Sequence, residues 1–229
     1  MIQIKQKTEE LVSIQKKYPN AVIIDFTNKS NATINRLHPY YPYGDIPVPF
    51  SGGIVAESVG SLWQGLKVFE DRDVDKELIM NYLTNKDRRC QNKYGEYLGH
   101  RCGLHGLELL SIFDARRRII VPSYKWMLEY KAQDVIIELR KMNDLYDIIF
   151  LDRFDNSEVY DYSQPVSHVY LVKAYVEGLF PYEDVYENHI IQHTYVGRKY
   201  ISWTTYERRP KIIEPYIPNS QLEIPFDIG

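Results

Sequence analysis

Residues 39–69 read PYYPYGDIPVPFSGGIVAESVGSLWQGLKVF, and the change of pattern halfway along decides what this chain builds. The first half is proline, tyrosine and glycine, which fix φ, anchor a loop through a ring with a polar tip, or supply left-handed turns. From Val59 onward Val59, Leu62, Trp63, Leu66 and Phe69 recur at spacings of three and four, the period of an amphipathic helix against a core. Gln64 and Lys67 fall on the other side. Ser58 stands where its hydroxyl can accept from an unpaired amide of the first turn, which sets Glu57 at the helix mouth. Gly60 and Gly65 each cost such a helix about 1 kcal/mol relative to alanine, so close packing or a ligand is expected where they lie.

The order of these residues resembles the N-terminal signature of the NADAR superfamily, the YbiA-like N-glycosidases. The matching features are the Pro/Tyr-rich approach, the Ile46-Pro47-Val48-Pro49 loop, the Ser58-Val59 pair, and Trp63-Gln64 with Lys67 and an aromatic soon after. The likeness covers residues 25–131 and is weak in the C-terminal third. It implies a mainly helical α+β fold, a distant member of a bacterial or phage branch, and action on ribosylamine intermediates of riboflavin synthesis or on ADP-ribosylated guanine, with no cofactor and no metal. The family's catalytic glutamate stands four residues before the glutamine. Here that position is Gly60, and the nearby carboxylate is Glu57, one turn earlier.

The resemblance therefore implies an N-glycosidase for an ADP-ribosylated or ribosylated base or nucleotide, disabled at Gly60. Trp63, Gln64, Lys67 and Tyr43 would hold the substrate. If active, the site would need a carboxylate to stabilise oxocarbenium charge and direct a water. Two other classes stay open. One is a non-catalytic ADP-ribose or nucleotide binder. The other is a base-modifying or base-excising protein that takes an extruded base onto tyrosine rings, which a salt-dependent response to oligonucleotide would separate from the first two.

Composition sets the outer limits. The 229 residues suffice for one core, expected as a single domain over 1–229 with a hairpin and Pro-rich tail at 182–229 packed on it. With 28 basic and 31 acidic residues the overall field gives no general attraction to nucleic acid or membrane. No apolar run approaches a membrane span, and the amino terminus lacks a signal-peptide core, so a cytoplasmic protein is expected. Oligomeric state is not legible. Cys90 and Cys102 fit reduced thiols rather than a disulfide framework. Together with His100 and His105 they offer metal-capable groups, but not at the spacing of paired zinc knuckles, and no metal is expected. The 20 tyrosines suit base or sugar stacking as well as plain loop anchoring.

In chain order, a short helix is expected at 8–18, with Leu11, Val12, Ile14 and Gln15 inward, then a buried strand at 22–26 and a polar connector. After the central helix, Asp73 precedes a second helix. Residues 84–106 are the most basic local segment and read either as a solvated loop or as a phosphate-holding arm through Arg88, Arg89 and His100. A third helix from Leu107 ends at Arg116-Arg117-Arg118, where positive charge suits a helix C-terminus. Pro122 opens a long helix to Met142. A strand at 148–151 delivers Asp152 and Asp155 into a loop, as active-site carboxylates or as turn formers. Ser167 caps a helix carrying His168 in its first turn and ending before Gly178. A hairpin follows around Gly197-Arg198, then a proline-punctuated extended tail.

Overall fold

The computed structural model describes residues 1–7, 11–81, 91–153 and 165–180, together with the backbone of two strands at 188–196 and 199–207. In chain order the first elements are β1 (Ile2–Gln6), α1 (Leu11–Lys17), β2 (Val22–Asp25), α2 (Ala32–Asn35), β3 (Ile46–Pro47), β4 (Val55–Ala56), α3 (Val59–Gly65) and β5 (Lys67–Phe69). Then come α4 (Lys76–Met80), α5 (Gln91–Tyr94), β6 (Tyr97–Arg101), β7 (Leu109–Leu110), α6 (Ile112–Ala115), a π-helical turn (Arg116–Ile120) and α7 (Val121–Tyr130). The chain closes with α8 (Gln133–Leu145), β8 (Ile148–Asp152), α9 (His168–Val176), β9 (Asn188–Val196) and β10 (Lys199–Glu207). This is an α+β fold. Among the described residues no helix is long and apolar enough to cross a membrane.

The chain divides into two compact units, residues 1–38 with 128–181, and residues 39–127 with 182–229. The first is built on a parallel sheet in the order β1-β8-β2. Every residue of β8 is buried, which is why Ile148-Ile149-Phe150-Leu151 reads as an unbroken apolar run rather than an alternating one. Ile14 packs against Ile149 and Leu151, joined by Tyr18, Ala21 and Ile23. At the carboxyl end of the sheet, Lys7 Nζ lies 2.6 Å from Asp25 Oδ2 and 3.0 Å from Thr27 Oγ1. Burial raises the Asp25 pKa, but the bonds from Lys7 and Thr27 outweigh it and leave the carboxyl below its ordinary range.

The second unit holds an antiparallel sheet in the order β10-β9-β7-β6-β5 and the small β3-β4 pair. The expected C-terminal hairpin is present, with Val196 opposite Lys199. The proline-punctuated tail beyond residue 207 lies outside the described residues.

Several elements differ from the sequence reading. β1 was not anticipated; its Ile2 is buried, and it borders β8. In α1 only Ile14 is buried, while Leu11 and Val12 are exposed. The central helix stops at Gly65, and Lys67-Val68-Phe69 leaves it to pair with β6. The cap of α4 is Asp75, whose side chain accepts from Leu78 N, and not Asp73. Tyr97 to Arg101 is strand rather than loop, and Leu109-Leu110 is strand rather than helix.

The largest correction concerns the arginines. Arg116, Arg117 and Arg118 do not end a helix. They form the π-helical turn between α6, which Ser111 caps, and α7. Pro122, the second residue of α7, does stand in a first helical turn, but the helix does not run on to Met142: α7 ends at Tyr130 and a separate α8 begins at Gln133. The missing N–H and the ring of Pro122 oppose an ordinary α-turn over the preceding residues, and a widened turn is how a helix takes up that interruption.

Candidate functional site

The site builds from α3. Ser58 accepts from Ser61 N at 3.0 Å, and Ser61 Oγ accepts from Ser58 N at 2.9 Å, a reciprocal box at the helix start. The expectation for Ser58 therefore holds. Ser61 Oγ also donates to Ile79 O at 2.9 Å, tying α3 to α4. Leu62 and Leu66 are fully buried, and Trp63, Gln64 and Lys67 are half-buried.

Both glycines have packing reasons. A Cβ at Gly65 would meet Asp75 O at 2.9 Å and press on Ile79. A Cβ at Gly60 would fall into the ring of Tyr40, 2.6 Å from its Cγ, while Gly60 N donates to Pro39 O at 2.7 Å. The Tyr40 hydroxyl in turn accepts from Gln64 Nε2 at 2.8 Å. A side chain at position 60 would thus collide with the Tyr40 ring, which packs against the first turn of α3.

Glu57 is half-buried, and its main chain is held on both sides: its N donates to Ile79 O at 3.0 Å, and its O accepts from Gly44 N at 2.9 Å. Tyr43 packs its ring against Tyr41, with centroids 4.6 Å apart. Both belong to the second unit, as do Gly60, Trp63, Gln64, Lys67 and His100.

His100 is completely buried, in β6 opposite Lys67 of β5. Its ring lies 3.7 Å from the indole of Trp63, tilted by 31°. Its Nε2 is 3.2 Å from Trp63 O, and its Nδ1 is in a short hydrogen bond with the Tyr97 hydroxyl. A carbonyl can only accept, so Nε2 carries the proton and Nδ1 accepts from the phenol. Burial pushes the Tyr97 pKa well above its usual value, with Arg116 pulling it partly back, so the phenol keeps its donor proton. His100 therefore ties the last turn of α3 through Nε2, while its Nδ1 is held by Tyr97 of the same strand.

The remaining candidates fall elsewhere. Asp152 and His168 belong to the first unit. Asp152 accepts from Arg153 N at 2.7 Å and from Ser167 Oγ at 2.8 Å, and Ser167 caps α9 as expected, with Gly178 following at φ +74°. His168 opens α9 beside His38 and Phe26, at centroid distances of 5.2 and 6.0 Å. Burial and the neighbouring His38 push its pKa down to about 3, so the ring is neutral. Arg88, Arg89 and Asp155 lie outside the described residues, as does Cys90.

Of the other metal-capable groups, His105 is exposed, and Cys102 Sγ accepts from Arg118 Nη2 at 3.4 Å. Burial pushes the Cys102 thiol up to about 12, against the pull of Arg118. Among the described residues no three His, Cys, Asp or Glu side chains converge as a metal would need.

Sequence reasoning missed the contacts of Tyr40 and Tyr97. Tyr40 stood in the quoted stretch, and the paired glycines of α3 were its signal. Tyr97 carried no local signal, because its partner His100 acts only once β6 is recognised as a strand.

Fold and site together define an α+β protein with a tyrosine-covered helix, α3, held against a five-stranded antiparallel sheet. The chain belongs to a family of unknown function (DUF6939), whose profile matches residues 6–172. No curated protein and no solved structure matches it.

Proposed function

We propose that the second unit binds an ADP-ribosylated or ribosylated base or nucleotide around Tyr40, Tyr43, Trp63, Gln64 and Lys67, and that it does so without a carboxylate at position 60. One observation carries this preference for binding over hydrolysis: the ring of Tyr40 fills the space a side chain at position 60 would need. An N-glycosidase of the resembled kind would place its charge-stabilising group there. Losing such a group costs several kcal/mol of transition-state energy, whereas ground-state binding through rings, amide and ammonium is spared. The half-buried aromatic and polar groups supply stacking and hydrogen bonding suited to a base and ribose. The cytoplasm, where such nucleotides and a free Cys102 thiol belong, is the matching compartment.

A second reading keeps catalysis and assigns it to Glu57, favoured by a main chain pinned at the mouth of α3. Calorimetry with ADP-ribose, paired with an assay for ADP-ribose release from ADP-ribosylated guanosine, separates the two. Binding without turnover supports the first reading. Turnover lost in Glu57→Gln supports the second, and absence of binding together with absence of turnover sinks both.

A further inference from the structure

The parallel sheet of the first unit offers a second place for a ligand. In β8, Ile149 and Leu151 meet Ile14 of α1, so by the alternation of a strand Phe150 and Asp152 face the other way. That other face carries Phe26, 4.9 Å from Phe150, and His168 of α9, 6.0 Å from Phe26. The helix that follows β1 therefore packs on one face, and the helix that follows β8 packs on the other. Where neighbouring parallel strands send their connections to opposite faces, a crevice opens beyond their carboxyl ends, and ligands of open α/β sheets bind there.

The two faces end differently. On the α1 face Asp25, opposite Leu151, is closed off by Lys7 and Thr27. On the α9 face Asp152 is buried and accepts from Arg153 N and Ser167 Oγ at 2.7 and 2.8 Å. Beyond it stand two imidazoles, His38 and His168, edge to face with centroids 5.2 Å apart. All of these residues belong to the first unit. The half-buried His168 ring packs against Phe26 and His38 and makes no hydrogen bond among the described residues. Polar groups packed inside a protein are seldom left so, and a ligand or water is the usual partner.

The other groups at this end favour an acceptor that carries negative charge. The first amides of a helix have no partner within it. Ser167 Oγ takes that of Tyr170 at 3.3 Å, which leaves those of His168 and Val169 at the positive end of the α9 dipole. Around the exposed edge of His38 the titratable and charged groups are Asp152 of β8, His168 of α9 and Lys29 of the connector after β2. Burial of the ring holds the His38 pKa below its ordinary value, while Asp152 pulls it up and Lys29 pushes it down. Near neutrality the ring is therefore uncharged, and an anion that settles against it favours the protonated form.

We propose that this crevice is a second binding site, which takes the oxyanion of a small ligand, a phosphate or a carboxylate group, on the first turn of α9, with His168 as a neutral hydrogen-bond donor and His38 as the cation. His38 takes up a proton as the anion binds. Asp152 is a positioning residue: it holds Ser167, and with it the cap of α9, and it favours the charged form of His38. The site is independent of the nucleotide reading of the other unit and stands whether or not that reading holds.

Inorganic sulfate and acetate keep their charge between about pH 6 and pH 8, so any pH dependence of their binding belongs to the protein. Calorimetry on the full chain, repeated in two buffers of different ionisation enthalpy, is expected to show one of these anions binding with uptake of about one proton, and about tenfold more weakly for each pH unit above neutrality. Preference for sulfate assigns the site to phosphate-like groups, and preference for acetate assigns it to carboxylates. His38→Gln, at an exposed position, should stay folded, weaken binding about tenfold or more through loss of one charged hydrogen bond, and abolish the proton uptake. His168→Phe should lose binding, while His168→Gln, which keeps a donor, should retain it. Absence of binding of both anions by the unmodified chain overturns the proposal, and so does binding in His38→Gln that keeps its strength and its proton uptake.

Discussion

At the scale of single residues, Gly60 and Tyr40 have to be read together. Gly60 looks in the sequence like a lost catalytic group, yet in the structure it is the place where a helix and an aromatic ring come closest. Adding even a methyl group there forces the ring aside. Gly60→Ala is expected to destabilise the protein by about 1–3 kcal/mol, the usual cost of overpacking, as read from the denaturant midpoint. Gly60→Glu should gain no hydrolysis of ADP-ribosylated guanosine. Appearance of turnover would show that Tyr40 swings away readily and that the glycine is a simple disablement.

Tyr97 poses the complementary case. Tyr97→Phe leaves His100 Nδ1 buried and without its donor, and is expected to cost about 1–3 kcal/mol. A change within experimental error would show that water replaces the phenol.

At the scale of elements, α3 depends on its first turn. Ser58→Ala removes half of the capping box from a short helix and should lower stability by about 1 kcal/mol, measured by urea unfolding; no loss would mean that Ser61 alone holds the turn. The start of this helix was legible because caps are local chemistry. Its end was not, because Phe69 continues the three-and-four spacing although the helix has stopped at Gly65 and Phe69 belongs to a strand. Periodicity cannot separate one more helical turn from three residues paired with a distant strand.

The same limit hid β6 and β7. Tyr97-Leu98-Gly99-His100-Arg101 looks like polar loop until its partners on either side, Lys67 to Phe69 and Leu109-Leu110, are known. β8 was readable because it is buried on both faces. The π-turn was invisible because its cause, Pro122, has an equally good reading as the start of a new helix. The scaffold of α3 was therefore visible in the candidate site, while the Tyr40 ring over it and its histidine tether depended on contacts between segments apart in the chain.

At the scale of the whole molecule, acid should act through His168. Its pKa of about 3 lies below the 6.5 of an unperturbed histidine, so between those values the unfolded chain binds the extra proton. The stabilisation is fully present above pH 6.5 and is lost as pH falls toward 3, at about 1.4 kcal/mol per pH unit. The lowered Asp25 pKa adds a loss in the same direction at lower pH, as its carboxylate becomes protonated. Replacing the imidazole in His168→Phe should flatten the stability profile between pH 6.5 and 4. An equally steep profile in the variant would assign the acid sensitivity to other groups.

The strand order β1-β8-β2 has a consequence for how the protein comes into being. During synthesis the two outer strands emerge within the first 25 residues, but the strand that must lie between them is not made until residue 148. Until then neither has its native hydrogen-bonding neighbour. Most of the interval is taken up by residues 39–127, the first portion of the other unit. Contacts so distant along the chain carry a large loop-closure cost and form late. A nascent chain stalled before Ile148 should therefore lack the parallel sheet altogether and expose its amino-terminal segment to protease, becoming resistant only once β8 has cleared the ribosome. Resistance of that segment in the shorter chain would mean that β1 and β2 find another pairing before their native template arrives.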